Sequence, residues 1–182
     1  MGIPKTWCEE IIAEWLQTDG YLVETNVPVG TGKGGGRKEA DVIGVRASKD
    51  APEIVHIEVG QISGSKRKSA EMIGRKFEER RINAVLARYR DLLGIEVSRE
   101  HYKKIFVASW ASPGVLRGLK EELGKEGIEV LHLKELFHRI IRHVRDKVMT
   151  DKGVRTLPES LWLLKMIEFL VINKLLPHDL LE

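Results

Sequence analysis

Lys38-Glu39-Ala40-Asp41-Val42-Ile43-Gly44-Val45, followed by Ile54-Val55-His56-Ile57-Glu58-Val59-Gly60-Gln61, is the stretch on which the reading of this chain turns. Both segments carry the β-branched, apolar pattern of strands central in a sheet, and each is interrupted by an acid. A carboxylate in such a place is expensive unless something positive or hydrogen-bonding compensates it. The strand period of two puts Glu39, Asp41, Ile43 and Val45 on one face of the earlier strand, and His56, Glu58 and Gly60 on one face of the later one. The turn-rich segment 46–52 between them predicts an antiparallel hairpin. If the two faces coincide, Asp41 and Glu58 converge. Such hard oxygen donors suit Mg2+ or Mn2+, and Asp41 and Glu58 are the expected metal ligands. A cation of this kind holds a phosphate, lowers the pKa of a bound water and stabilises the leaving oxygen in phosphodiester cleavage. The competing reading is ordinary: two acids near strand ends pairing with the many Lys and Arg residues. His56 shares the face of Glu58, but a single histidine within a strand is more often structural than catalytic.

Working outward, residues 7–16 have the apolar stripe of a helix, with Thr6 as N-cap and Asp19-Gly20 as its end. Residues 21–27 read as a strand, and the glycine-rich run 29–37 as a loop. A single long helix is expected over 66–92, ended by Gly94. A strand at 104–110, a helix at 113–123, a strand at 128–131 and helices at 133–148 and 159–175 follow. The class is α/β: a mixed sheet with helices on both faces. One domain over residues 1–150 with a C-terminal helical extension over 151–182 is the expected organisation, with Asp151-Lys152-Gly153 as linker. The last helix is apolar nearly all around and must be covered, by the domain itself or by a second copy in a homodimer. Glu10 and Glu14 are assigned to the solvated side of the first helix.

Composition narrows the partners. With 42% hydrophobic and 31% charged residues the 182-residue chain has material for a core and is not a disordered sequence. A lone cysteine, Cys8, excludes both an intrachain disulfide and a multi-cysteine zinc site. No apolar run reaches membrane-spanning length and the first residues carry no secretory pattern, so a soluble, cytoplasmic protein is expected. Scarce Asn and Gln beside abundant Lys, Arg and Glu is a balance met in heat-adapted proteins. The net charge of +3 is small, but between Lys66 and Arg81 seven basic residues face three acids, a surplus larger than that of the whole chain. Positive charge directly after the acid-bearing strand suits a nucleic-acid backbone. Lys66, Arg67, Lys68 and Arg75 are the expected contacts there, with Lys33 and Arg37 from the glycine-rich loop and Lys38 at the start of the strand after it. That loop does not fit the G-x-x-x-x-G-K-[ST] pattern and no helix follows it, which argues against nucleotide hydrolysis.

Three segments carry a resemblance: Glu9-Glu10-Ile11-Ile12-Ala13-Glu14-Trp15-Leu16 leading into Asp19-Gly20-Tyr21-Leu22-Val23, then Glu39-Ala40-Asp41-Val42-Ile43, then Ile57-Glu58-Val59-Gly60. Together they resemble the PD-(D/E)xK nucleases, the superfamily of restriction endonucleases and archaeal Holliday-junction resolvases. The match covers roughly the first 110 residues, and its α-β-β-β-α-β order agrees with the restriction-endonuclease-like core. The resemblance implies an acidic triad of Glu9, Asp41 and Glu58, a Mg2+ or Mn2+ cofactor, and DNA rather than RNA as substrate. It also implies a lysine two residues after Glu58, where this chain has Gly60. Lys66 or Lys68, or Gln61 through a strand bulge, are the expected substitutes. Two readings stay open: a metal-dependent DNA endonuclease hydrolysing phosphodiester bonds, and a catalytically inactive nuclease-fold module that binds nucleic acid or a protein.

Overall fold

The computed structural model describes residues 6–31, 37–47, 52–94, 96–150 and 153–177. The elements run α1 (Trp7–Thr18), β1 (Leu22–Thr31), β2 (Arg37–Arg46), β3 (Glu53–Gln61), α2 (Lys66–Lys76), α3 (Glu79–Leu93), β4 (Tyr102–Trp110), α4 (Pro113–Gly124), β5 (Ile128–His132), α5 (Leu133–Val148), the two-residue strands β6 (Met149–Thr150) and β7 (Gly153–Val154), and α6 (Trp162–Ile172). Strands β1 to β5 form one sheet in sequence order. The first three are antiparallel neighbours, while β3, β4 and β5 run parallel, each joined to the next through helices. The chain is therefore α/β with a mixed sheet flanked by helices, as the alternation of patterns predicts. Asp151 and Lys152 of the expected linker, and Lys33 of the glycine-rich run, lie outside the described residues.

Strand alternation sorts the apolar residues onto two faces. Val42, Val55, Ile57, Val107 and Leu131 meet Ile12, Leu16, Leu136, Ile140, Leu164 and Ile167 from α1, α5 and α6. On the other face Ile43, Val45 and Ile54 pack against Val85 and Tyr89 of α3, and Phe106, Ala108 and Val130 against Ile73 of α2 and Leu119 of α4. Both faces are covered, so the central strands carry apolar residues at almost every position. Several boundaries differ from the sequence reading: the helix expected over 159–175 is Trp162–Ile172, Gly153 of the expected linker lies in β7, and two further differences have a visible cause. The β1–β2 ladder continues through Gly30 and Thr31 and resumes at Arg37, because a bulge between Pro28 and Gly30, with Gly30 at φ +133°, absorbs the irregularity that reads as loop. The long helix expected over 66–92 is two helices. Phe77 closes α2 and Glu78 adopts an extended conformation (φ −59°, ψ 148°) before α3 begins. Buried Phe77 explains the break: its ring lies 4.8 Å from that of His56, a position that pins the chain to the sheet.

The end of the chain is tied to its beginning. Leu161, the N-cap of α6, provides no side-chain acceptor. Glu14 of α1 takes its place, accepting hydrogen bonds from the backbone N–H groups of Leu163 at 3.3 Å and Leu164 at 2.8 Å. Glu10 accepts from Trp162 Nε1 at 2.8 Å. The expectation that both acids are solvated fails for Glu14, which is 5% exposed. A carboxylate against free N–H groups at a helix start offsets both the unpaired donors and the helix dipole. Leu164, Ile167 and Val171 enter the main core, while Trp162, Met166 and Phe169 remain exposed on the opposite side of α6. That exposed stripe is the face on which the expectation of a second copy rests.

Glu14→Ala leaves two α6 donors without an acceptor in a buried place. It is expected to lower the unfolding free energy in urea by about 2 kcal/mol or more, and Glu14→Gln, which keeps one acceptor, by less.

Candidate active site

The site begins where two strands part. Strands β2 and β3 pair in register as far as Val42 opposite Ile57. The same register sets Asp41 opposite Glu58, yet the ladder stops one pair short. The Asp41 carboxylate fills the gap, its Oδ2 accepting the backbone N–H of Val59 at 2.8 Å. Both acids project to the face covered by α2 and α3, so the convergence expected from the strand period is what the backbone provides.

One ammonium group serves both. Lys76, the last residue of α2, donates from Nζ to Glu58 Oε2, and the same atom lies 3.6 Å from Asp41 Oδ2. Arg81, from the first turn of α3, brings Nη1 to 3.6 Å from Glu58 Oε1. In an unbroken helix these two residues point about 140° apart. The break at Phe77 and Glu78 is what lets both reach one carboxylate. Glu58 itself is 0% exposed, as is His56.

Behind Glu58 runs a chain of neutral groups. His56 Nε2 is 2.9 Å from Glu58 Oε1, and His56 Nδ1 is 2.8 Å from the Tyr102 hydroxyl. Burial pushes the Tyr102 phenol well above its ordinary range, so it keeps its proton and donates to Nδ1. Burial also lowers the His56 pKa and favours a neutral ring. The tautomer follows: Nε2–H donates to Glu58. Desolvation alone raises the Glu58 pKa, but this hydrogen bond and the Lys76 charge outweigh it and hold the carboxyl below its usual value. His56 therefore positions Glu58 from inside the protein. Asp41 goes the opposite way. Burial, and then the nearby charge of Glu58, push it up to about 6 against the pull of Lys76.

Gly60 is explained by Phe106. A Cβ at position 60 would lie 3.1 Å from Phe106 Cζ, and Phe106 is fully buried on the same face of the sheet. A side chain there would have to push the Phe106 ring aside by a few tenths of an ångström, and the ammonium arrives instead from α2. Of the expected substitutes, Lys66 pairs with Glu122 of α4 at 3.0 Å, and Lys68 is exposed on the first turn of α2. Neither is the lysine that meets the carboxylates. Lys76 and Arg81 were legible only as members of a basic run.

Glu9 comes close without joining. It is buried on α1, its backbone N–H is capped by Thr6 Oγ1 at 3.2 Å, and its charge contributes to the upward shift of Asp41. Among the described residues no three His, Cys, Asp or Glu side chains are arranged to hold a metal together. A two-carboxylate site remains compatible with Mg2+ or Mn2+, which are bound through one or two carboxylates plus water and substrate phosphate. The Lys76 ammonium is itself a cation shared by Asp41 and Glu58 at that edge.

The remaining basic candidates are spread around this centre. Lys38 pairs with Glu78 at 3.6 Å and Arg67 with Glu71 at 3.9 Å. Arg37 opens β2. Lys68 and Arg75 are exposed on α2 and have no ion-pair partner among the described residues.

The state of Asp41 gives a stability test. A carboxyl near 6 in the folded chain, and near its usual value when unfolded, penalises the fold once ionised. That penalty is absent below the usual carboxylate range, grows as pH rises to about 6 and is constant above. Asp41→Asn keeps an acceptor for Val59 and removes the charge. It is expected to raise unfolding free energy by about 2 kcal/mol at pH 7.5 and by almost nothing at pH 4, as read by urea melts at both values.

Comparisons with family models, with curated proteins and with solved structures find no match for this chain.

Proposed function

We propose that this protein is a metal-dependent DNA endonuclease of restriction-endonuclease-like architecture, hydrolysing phosphodiester bonds at the Asp41–Glu58 edge. The observation that carries the reading is the single ammonium of Lys76 held between two carboxylates from neighbouring strands. Asp41, Glu58 and a lysine are three of the four groups that the resemblance calls for, with the lysine supplied from α2 rather than from position 60 and Glu9 of the implied triad standing apart. The order α1-β1-β2-β3, helices, β4 is compatible with that architecture.

In this reading Asp41 and Glu58 hold the divalent ion, which supplies a Lewis acid against a phosphodiester oxygen. The remaining work falls to the chain. His56 and Tyr102 fix one oxygen of Glu58, so that the other keeps its aim. Lys76 offsets the negative charge that builds on the phosphate during attack. Exposed Lys68 and Arg75 on α2 contact backbone phosphates beside it. DNA is the proposed substrate, and binding through such contacts is salt-sensitive.

One observation favours the second reading, a nuclease-derived binding module without catalysis. Glu58 is fully buried and engaged by His56, Lys76 and Arg81 at once. The two readings part in one experiment, incubation with branched, duplex and single-stranded DNA in Mg2+ or Mn2+. Cleavage is expected, with a loss of about a hundredfold or more on Asp41→Asn or Lys76→Met and little change on Lys66→Met. No product from any substrate with protein in excess removes the enzymatic reading. Salt-dependent DNA binding indifferent to chelator and to Asp41→Ala would then select the binding module.

A further inference from the structure

The two oxygens of Glu58 are not equivalent. Oε1 faces fixed partners: the imidazole of His56, itself held by Tyr102, and the guanidinium of Arg81. Oε2 faces only the ammonium of Lys76 among the described contacts, and that ammonium is also the one cation near Asp41 Oδ2. The exchangeable oxygen of Glu58 and the Asp41 carboxylate therefore share one occupant. That occupant sits on a four-carbon stem at the end of a helix, next to a break in the chain, with about a quarter of its side chain exposed. Counting back by turns of α2, Lys76, Met72 and Lys68 fall at i, i−4 and i−8 and lie on one side of the helix. Met72 and Lys68 are exposed, so this stripe runs from solvent into the site.

From this we infer that Lys76 is the resident counter-cation of the Asp41–Glu58 pair in the free protein, and that a divalent ion binds only by displacing it outward along the α2 stripe. The inference rests on the metal-dependent reading above. An ammonium and a divalent ion repel and need the same oxygen edge, so they exclude one another. His56 stays in place, because it is hydrogen-bonded to the other oxygen, and the guanidinium of Arg81 keeps its charge 3.6 Å from that same atom. Once displaced, the ammonium is positioned for a phosphate lying over the same stripe, and a phosphate that draws it out favours metal entry. Metal and polyanion binding are then positively coupled, each raising the other's affinity by the same factor. In this scheme Lys76 opposes metal binding in the free protein and assists the reaction once substrate is bound.

The test uses Mn2+ alone, without nucleic acid, titrated into the full chain by electron paramagnetic resonance. Lys76→Met and Lys76→Gln are expected to bind Mn2+ about tenfold tighter than the wild type, the reverse of what loss of a merely structural lysine would do. Circular dichroism establishes that each variant is folded. A measurement on the wild type stands beside them. With lysines dimethylated by 13C-formaldehyde, the Lys76 resonance is expected to move on addition of Mg2+ while that of Lys66 stays. Mn2+ affinity unchanged or weakened in a folded variant, or a Lys76 resonance indifferent to Mg2+ at saturation, overturns the inference and leaves the nuclease reading intact. No Mn2+ binding by wild type or variants at millimolar metal overturns both.

Discussion

The ammonium of Lys76 between Asp41 and Glu58 is the contact from which the rest of this site follows. Two carboxylates on one face of adjacent strands, one of them wholly buried, repel each other and have lost their water. A single shared cation is the smallest arrangement that makes the pair tolerable. Bringing it there sets demands on the surroundings. The β2–β3 ladder must end one residue early, so that Asp41 can turn to Val59. The helical segment after β3 must break at Phe77, so that its last residue points at the sheet. Position 60 is best kept small, because a Cβ there would press on Phe106. Each demand is met by a local irregularity that costs something on its own.

Those costs mark a site rather than a scaffold. Elsewhere both faces of the sheet are covered by apolar residues, and its irregularities fall in β1, with Asn26 at φ 54° and the bulge between Pro28 and Gly30, and at the end of β3. Around Asp41 ordinary rules are broken in several ways at once. An acid has its pKa pushed up by burial, a ladder is interrupted, and a guanidinium has Nε and Nη1 buried without a hydrogen-bond partner. Natural sequences concentrate such violations where function requires them. The neutral Tyr102–His56 pair shows how the strain is contained: it fixes Glu58 without adding another charge to a place that already holds two of each sign.

What the sequence makes legible is governed by how local the signal is. Asp41 and Glu58 stand out because an acid in a β-branched run violates strand chemistry, and the period of two then says which face they share. The order of elements is readable for the same reason. Lys76 is not, since its importance depends on a helix break that neither Gly nor Pro announces. Phe77 ends α2 by packing under the sheet against His56, a tertiary cause that leaves no mark in local propensity. Glu14 had a signal that charge alone concealed. It follows Trp7 and Ile11 at i, i+4 and i+7, on the apolar stripe of α1, and an acid on such a stripe calls for a buried donor. That donor, the start of α6, lies about 150 residues away in the chain.

The same distance has a bearing on how the molecule comes to be. As the polypeptide leaves the ribosome, α1 emerges with an acid on its inward side and nothing to neutralise it. The sheet, α2 to α5 and every residue around Asp41 are made before the backbone amides of Leu163 and Leu164 appear. Until then one flank of the β-sheet is uncovered where Leu164, Ile167 and Val171 later rest. A nascent chain therefore passes through a stage at which every residue around Asp41 has been made while this apolar surface still lacks its cover. Docking of α6 onto Glu14 and the sheet then closes that flank.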